Sequence, residues 1–266
     1  MSPDTLSLAS KVAIVTGSGR ENGIGAAIAR ALARNGAAVT IHYVSDSSAS
    51  RAAKVAQGIR DNGGKATVVQ ADVSLADGAK KIVAATLEAF GVDNIDILVN
   101  NAGGNKLGRL LDVSPEELGW SFALNTFGPL YMAQAVVEQG KMPQGGRIIN
   151  IGTAGSKMGA SGLGSYLISK AALDSMTEIL AQELGRTHDI TVNTVAPGPV
   201  KTDLLMETNK VLGVDFTELL KAKQRGSDRL ADPEDIADVV AWVASEKARW
   251  ITAQFISASS GLTGTM

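Results

Sequence analysis

Short β-branched runs alternate with amphipathic stretches along the whole chain, and few architectures accommodate that rhythm. KVAIVT (11–16), AAVTIHY (37–43), KATVVQADV (65–73), DILVNNAG (96–103), GRIINIGT (146–153) and ITVNTVAPG (190–198) each read as a strand running into a turn. QFIS (254–257) reads as a last short strand. Between them lie helical patterns such as IGAAIARALARNG and SASRAAKVAQGIRDNGG, the latter closed by Asn-Gly-Gly. DPEDIADVVAWVAS (232–245) opens with Asp232 as N-cap and Pro233 at the first helical position. Strands separated by helices pair in parallel, with helices on both faces. The chain is therefore predicted to be α/β, a doubly wound parallel sheet of about seven strands. No linker, repeat or low-complexity segment interrupts the pattern, so residues 1–266 read as a single domain with 1–10 as an N-terminal arm. In such a sheet ligands bind outside the carboxyl ends of the strands, which is where chemistry is to be sought.

Composition removes several classes of function. A hydrophobic share of 45% against 20% charged residues supports a large core. A net charge of −2 without a basic block argues against nucleic acid as a partner. With no cysteine, disulfides and thiolate metal sites are excluded, and His42 and His188 are the only imidazoles, so no metal is expected. The opening MSPDTLSLAS has neither a cationic start nor an apolar run, and no segment approaches a membrane span. These features predict a soluble, cytoplasmic protein.

After the first strand comes TGSGRENGIG (16–25), with Gly17, Gly23, Ile24 and Gly25. Glycines there allow a tight turn and close approach of phosphate, and the following helix offers free N–H groups to a pyrophosphate. Any tight turn produces such glycines, but this one lies between the first strand and the first helix. The end of the second strand should tell the cofactor's phosphate state: a carboxylate there binds a ribose diol and repels a 2′-phosphate. The chain has Tyr43 there, then Val44-Ser45-Asp46-Ser47-Ser48, with Arg20 on the neighbouring loop. Hydroxyls and a guanidinium suit a 2′-phosphate, hence NADP(H), although Asp46 argues the other way.

TGSGRENGIG, Asn-Asn-Ala-Gly at 100–103, Asn125, NIGT at 150–153, YLISK at 166–170 and PGPVKTD at 197–203 together resemble the short-chain dehydrogenase/reductases. The similarity covers essentially the whole chain, in order. It is greatest to the NADPH-dependent ketoreductase branch, which includes fungal polyketide and naphthol reductases and 3-oxoacyl reductases. The resemblance implies a Rossmann fold, a small-molecule carbonyl substrate and a homo-oligomer, tetramer or dimer. It implies that Asp72, with Val73 beside it, binds the adenine amino group, and that Asn100, Ala102 and Gly103 line the adenine-ribose side and hold the central sheet. Pro197, Gly198, Val200 and Thr202 would flank the nicotinamide. Asn125, Thr153, Tyr166 and Lys170 would be the catalytic four, with Tyr166 and Lys170 also touching the cofactor.

Three departures stand out. Gly17 and Gly23 enclose five residues where the family has three. Thr153 occupies the catalytic serine position, keeping the hydroxyl while adding a methyl. The tail has Ser259-Ser260-Gly261 in place of Asp-Gly-Gly. The longer loop is similar to that of enoyl reductases, but that branch spaces its tyrosine and lysine seven apart, and position 163 is Leu163. The four-residue spacing favours carbonyl reduction.

A phenol with a pKa of about 10 is a poor acid near neutrality. A lysine four residues on shares its helical face and is expected to lower that pKa toward the working range. In this reading Thr153 donates to the substrate oxygen as charge develops, and Asn125 bends or hydrates its helix and holds a water that relays protons to the lysine. A lid over about 203–229, with Leu204, Leu205, Met206, Val211, Leu212, Val214, Phe216, Leu219 and Leu220, suggests an apolar or aromatic ketone of polyketide type. A 3-oxoacyl or sugar ketone remains open, as does a non-redox, NADPH-binding catalyst or sensor. Lys106, Arg109 and Lys157 are candidates to face the pocket mouth. Phe122, Phe127, Leu173 and Met176 are candidates for pairing between subunits.

Overall fold

In the computed structural model, which describes residues 6–212 and 217–264, seven strands form one parallel sheet in the order β3-β2-β1-β4-β5-β6-β7. The strands are β1 (Val12–Val15), β2 (Ala38–Tyr43), β3 (Lys65–Gln70), β4 (Ile97–Asn100), β5 (Arg147–Ile151), β6 (Thr191–Pro197) and β7 (Phe255–Ala258). The helices are α1 (Ile24–Arg34), α2 (Ala49–Asp61), α3 (Ala76–Phe90), α4 (Pro115–Phe122), α5 (Gly128–Glu138), α6 (Gly164–His188), α7 (Asp203–Leu212), α8 (Thr217–Lys223) and α9 (Pro233–Ala244). This is the doubly wound, Rossmann-type arrangement that the alternation predicts. The chain reverses its direction of winding between β1 and β4, which opens a crevice at their carboxyl ends.

Each expected strand is present; β1, β3, β4, β5 and β6 stop one to three residues short where the run enters a turn, β2 ends at Tyr43 as expected, and β7 runs one residue further, to Ala258. β3 stops at Gln70 because Asp72 folds back, its carboxylate accepting from the Ser74 amide and hydroxyl at 2.9 and 2.7 Å. One face of the sheet packs Ala26, Ile28 and Leu32 of α1, Val55 and Ile59 of α2, and Ile236 and Val240 of α9. The other packs Ile82 and Val83 of α3 and Met132 and Val136 of α5. Helix α9 opens as predicted, with Pro233 first and Asp232 before it, whose amide donates to the Asp235 carboxylate at 2.8 Å. Of the predicted N-terminal arm, residues 1–5 lie outside the described residues, while Leu8 is buried and its amide donates to the Asn35 carbonyl.

A buried polar chain crosses three strands. Asn100 donates to Asn150 at 2.9 Å, Asn150 donates to Thr177 at 2.9 Å, and Thr177 meets Thr194 at 2.8 Å. Buried amides must be paired, so this chain ties β4, β5, α6 and β6 at one register next to the crevice. Asn100 thus holds the central sheet.

Candidate active site

Tyr166 stands in the first turn of α6, with Lys170 one turn on along the same face. The Lys170 ammonium donates to the carbonyl of Ile151, the last residue of β5, at 2.7 Å. The Thr153 side chain lies beside the Tyr166 hydroxyl and favours its ionised form. Thr153 reaches that position because it caps a short 3₁₀ turn over Ala154–Lys157, where its Oγ1 accepts from the Gly155 amide. Burial pushes the phenol up to about 12, against the Thr153 hydrogen bond, and pushes the ammonium down to about 8, against the Asp174 carboxylate. The expected lowering of the phenol by the lysine is therefore not what this arrangement produces. Desolvation outweighs it, and the lysine's donor points at a backbone carbonyl.

Asn125 occupies a feature that its helix position hid. The chain from 115 to 138 is not one regular helix, because Ala123–Phe127 form a π-helical turn between α4 and α5. Within it, the buried Asn125 side chain accepts from the Gly104 amide at 3.1 Å and donates to the Gly104 carbonyl at 3.0 Å and to Ser169 at 3.2 Å. The amide is thereby locked between the loop after β4 and α6. A Cβ at Gly103 would sit 3.0 Å from the Asn125 Oδ1 and 3.4 Å from the Lys170 Nζ, so the lysine and the amide share one small space.

A carboxylate overlooked in the sequence completes the cluster. Asp174, one turn beyond Lys170, is 5% exposed. Its Oδ2 accepts from Ser156 at 2.7 Å and pairs with Lys157 at 3.2 Å. Burial raises its pKa, opposed by Ser156 and the two lysines. The spacing 166, 170, 174 was visible in the sequence as a single helical face.

The dinucleotide end is equally constrained. Gly17 has φ +63°, and a Cβ there would lie 2.7 Å from the Ala102 Cα. A Cβ at Gly19 would lie 2.9 Å from that of Tyr43. Asn101, the second residue of the Asn-Asn-Ala-Gly run, donates to the Thr16 and Gly17 carbonyls at 2.9 and 3.0 Å and so seats the loop. Helix α1 begins at Ile24 after Gly23, with no acidic residue in its first turn and no side chain capping it. A glycine-rich turn ending at helix amides that no side chain caps fits a pyrophosphate, so these residues fit a dinucleotide. The Gly17 amide donates to His42 Nδ1 at 2.9 Å. Tyr43 reaches Gln70, and the hydroxyls of Ser45, Ser47 and Ser48 cluster, Ser45 lying 3.0 and 3.1 Å from the other two. Asp46, which argued against a phosphate, accepts from Gln70 at 2.7 Å. Arg20 is exposed, Val73 buried, and Asp72 exposed with one oxygen turned to Ser74.

At the third side of the crevice, Pro197 ends β6, and Gly198 packs so close that a Cβ would meet Ser259 at 3.0 Å. Val200 is buried, and Thr202 is half-buried with its hydroxyl on the Val200 carbonyl. Two helices, α7 and α8, follow where the lid was expected, with Met206 66% exposed and Leu205 and Leu220 half-buried. Val214 and Phe216, and the side chains of Leu204, Val211, Leu212 and Leu219, lie outside the described residues. The three candidate cations have other partners: Lys106 lies over Trp120, Arg109 meets Asp112, and Lys157 meets Asp174 and the Phe255 ring. Arg109, Leu110, Leu111, Ala160, Leu167 and Ile168 help line a cavity of about 370 Å³ beside the first turn of α6. Leu173 is fully buried within the chain, whereas Trp120, Phe127 and Ile179 are exposed.

A family model described as Enoyl-(Acyl carrier protein) reductase matches residues 17–263. Among curated proteins, the chain is 39% identical over 260 residues to the short-chain dehydrogenase/reductase FrzI of Cladobotryum sp, covering 96% of this chain and 97% of that one. It is 37% identical over 268 residues to the versicolorin reductase stcU of Emericella nidulans, covering 98% of each. Among solved structures, the angucycline C-6 ketoreductase LanV with bound NADP superposes with a TM-score of 0.86 at 37% identity, covering 96% of each chain. With the motifs in order, the sheet complete and the likeness running end to end, the chain belongs to the short-chain dehydrogenase/reductase family.

Proposed function

We propose that this protein is an NADPH-dependent reductase that converts an aromatic or polyketide-type ketone to an alcohol, with Tyr166 as proton donor. The observation that carries the reading is the half-buried Tyr166 phenol beside Thr153, with the buried Lys170 one turn behind it. The names of the versicolorin reductase and the NADP-bound angucycline ketoreductase among its relatives support both substrate class and cofactor.

When bound, NADPH supplies the hydride. Every other task falls to the chain. The glycine loop, Gly17 to Gly25, and the α1 amides receive the phosphates; Arg20, Tyr43 and Ser45 read the 2′-phosphate. Asp72, Val73, Asn100, Ala102 and Gly103 bound the adenosine side, while Pro197, Gly198, Val200 and Thr202 bound the nicotinamide side. A phenol held near 12 remains protonated at neutral pH, as a donor must. Tyr166 passes its proton to the carbonyl oxygen, and Thr153 donates a hydrogen bond to the same oxygen while its charge develops. The Lys170 cation favours the phenolate left behind, and Asn125 holds the water through which that phenolate is reprotonated.

The chain is read as one domain working in the cytoplasm, with 203–229 as the lid. Among the described residues no helix is long and apolar enough to cross a membrane. Exposed Trp120, Phe127 and Ile179 on the α4–α6 side support assembly into a homo-oligomer. The test is to follow NADPH absorbance with a ketone panel in wild type and Tyr166→Phe. Reduction should fall by about 10²–10⁴-fold when the donor is removed. Turnover unaffected by the change would defeat the assignment.

A further inference from the structure

Among the buried titratable side chains that the mechanism above leaves unused is His42. His42, in β2, is 2% exposed, and both ring nitrogens are engaged. Its Nδ1 lies 2.9 Å from the Gly17 amide nitrogen and its Nε2 lies 3.0 Å from the Ala71 carbonyl oxygen. An amide can only donate and a carbonyl can only accept, so the ring must be neutral, with its proton on Nε2. The backbone of the same residue repeats the grip. The His42 carbonyl accepts from the Ser18 amide at 2.9 Å, and the His42 amide donates to the Ser18 hydroxyl at 3.0 Å. Three contacts thus fasten Gly17 and Ser18, where the loop turns through φ +63°, onto β2.

A proton on Nδ1 would place two donors face to face. The Gly17 contact would then break, freeing the loop's first glycine from β2 beside the surface that receives the phosphates. Burial holds the imidazole below its ordinary 6.5, against the Ala71 hydrogen bond and the Asp72 carboxylate, which pull upward. Asp72, after β3, is the charged group acting on it. From the glycine loop it meets the Gly17 and Ser18 backbone and a hydroxyl, and from β3 the Ala71 carbonyl. The sign follows: the anchor is intact above pH 6.5 and is lost as pH falls through the lowered value.

We propose that His42 is a positioning residue for the cofactor loop, a proton-sensitive anchor whose neutral imidazole sustains dinucleotide affinity and whose protonation releases the cofactor. This rests on the NADP(H) reading and concerns binding rather than the chemical step.

Glutamine separates the anchor from its titration. Its amide oxygen can accept from Gly17 and its NH₂ can donate to Ala71, but it binds no proton in this range. NADPH dissociation constants should be measured by fluorescence on the full chain, without substrate, from about pH 8 to about pH 5 for wild type and His42→Gln. The 2′-phosphate itself titrates near pH 6, but equally for both proteins, so the ratio of their constants isolates the imidazole. Thermal melts in each buffer define the range in which both are folded. The ratio should be level above pH 6.5 and rise on the order of tenfold below it as wild type loses affinity. A level ratio with tight binding throughout overturns the proposal alone, and no binding of NADPH at any pH overturns it together with the cofactor reading. Nitrogen NMR of wild type supplies a check that needs no variant. At neutral pH the His42 ring should show an unprotonated Nδ1 and a protonated Nε2, and the opposite tautomer would overturn the anchor directly.

Discussion

Replacing Lys170 by methionine should make the protein more stable at neutral pH while abolishing ketone reduction. Burial lowers the ammonium from 10.5 to about 8. At about 1.36 kcal/mol per pH unit, that gap is roughly 3 kcal/mol against the buried charge. Methionine fills a similar volume and removes this cost. It also removes the bond to the Ile151 carbonyl, worth about 1 kcal/mol, leaving a net gain of about 2 kcal/mol. Because the folded pKa lies below the unfolded one, the cost is complete below about pH 8, fades toward 10.5 and is gone above it. At roughly 2–4 °C per kcal/mol for a chain of this size, Lys170→Met should melt about 4–8 °C above wild type near pH 7. Near pH 10 the two should melt together. Thermal denaturation of both proteins at the two pH values is the assay. A variant that melts below wild type at pH 7, or a difference unaffected by pH, would refute the reasoning.

Three further outcomes are expected. Arg20→Ala should raise the dissociation constant for NADPH by tenfold or more, on the order of a lost charge-assisted phosphate contact, and leave NADH nearly unchanged; equal losses would mean that Arg20 does not read the phosphate. Gly17→Ala puts a Cβ 2.7 Å from the Ala102 Cα at φ +63°. It should cost at least about 2 kcal/mol in denaturant melts, and a change within about 0.5 kcal/mol would show that the loop yields. Arg51 meets Glu21 of the glycine loop at 3.2 Å and Asp203 at the start of α7 at 2.8 Å. Arg51→Ala should speed amide exchange in 203–212 and raise the KM for ketone severalfold, at a stability cost of at most about 1 kcal/mol; unchanged exchange would remove Arg51 as a tie between loop and lid.

The sheet was legible because buried parallel strands announce themselves as Val/Ile-rich runs, and the crevice because the runs at β1, β4, β5 and β6 lead into glycine, asparagine or proline. Tyr166 and Lys170 were legible for the same local reason, since four residues make one helical turn. What escaped was set by distance in the sequence. His42 looks like one polar residue in a strand until Gly17, twenty-five positions earlier, is folded against it. Asp174 lies on a visible helical face, but its burial depends on Ser156 and Lys157 closing over it. The phenol's environment was misjudged because charge proximity can be counted along a helix, whereas desolvation depends on everything packed around it. Asn125 was expected to bend or hydrate its helix; the helix does depart from regular α geometry there, but the π turn and the side-chain contacts to Gly104 and Ser169 were not readable from helix propensity.

That π turn has a mechanical meaning. The Gly128 amide donates to the Ala123 carbonyl, five residues back instead of four, so the rod from 115 to 138 holds one residue more than its turns require. The surplus rotates everything after it relative to everything before it. The rod is therefore a splice of two helices with separate facings, and substitutions that re-aim the outward side of α4 need not swing the Asn125 amide or the buried face of α5.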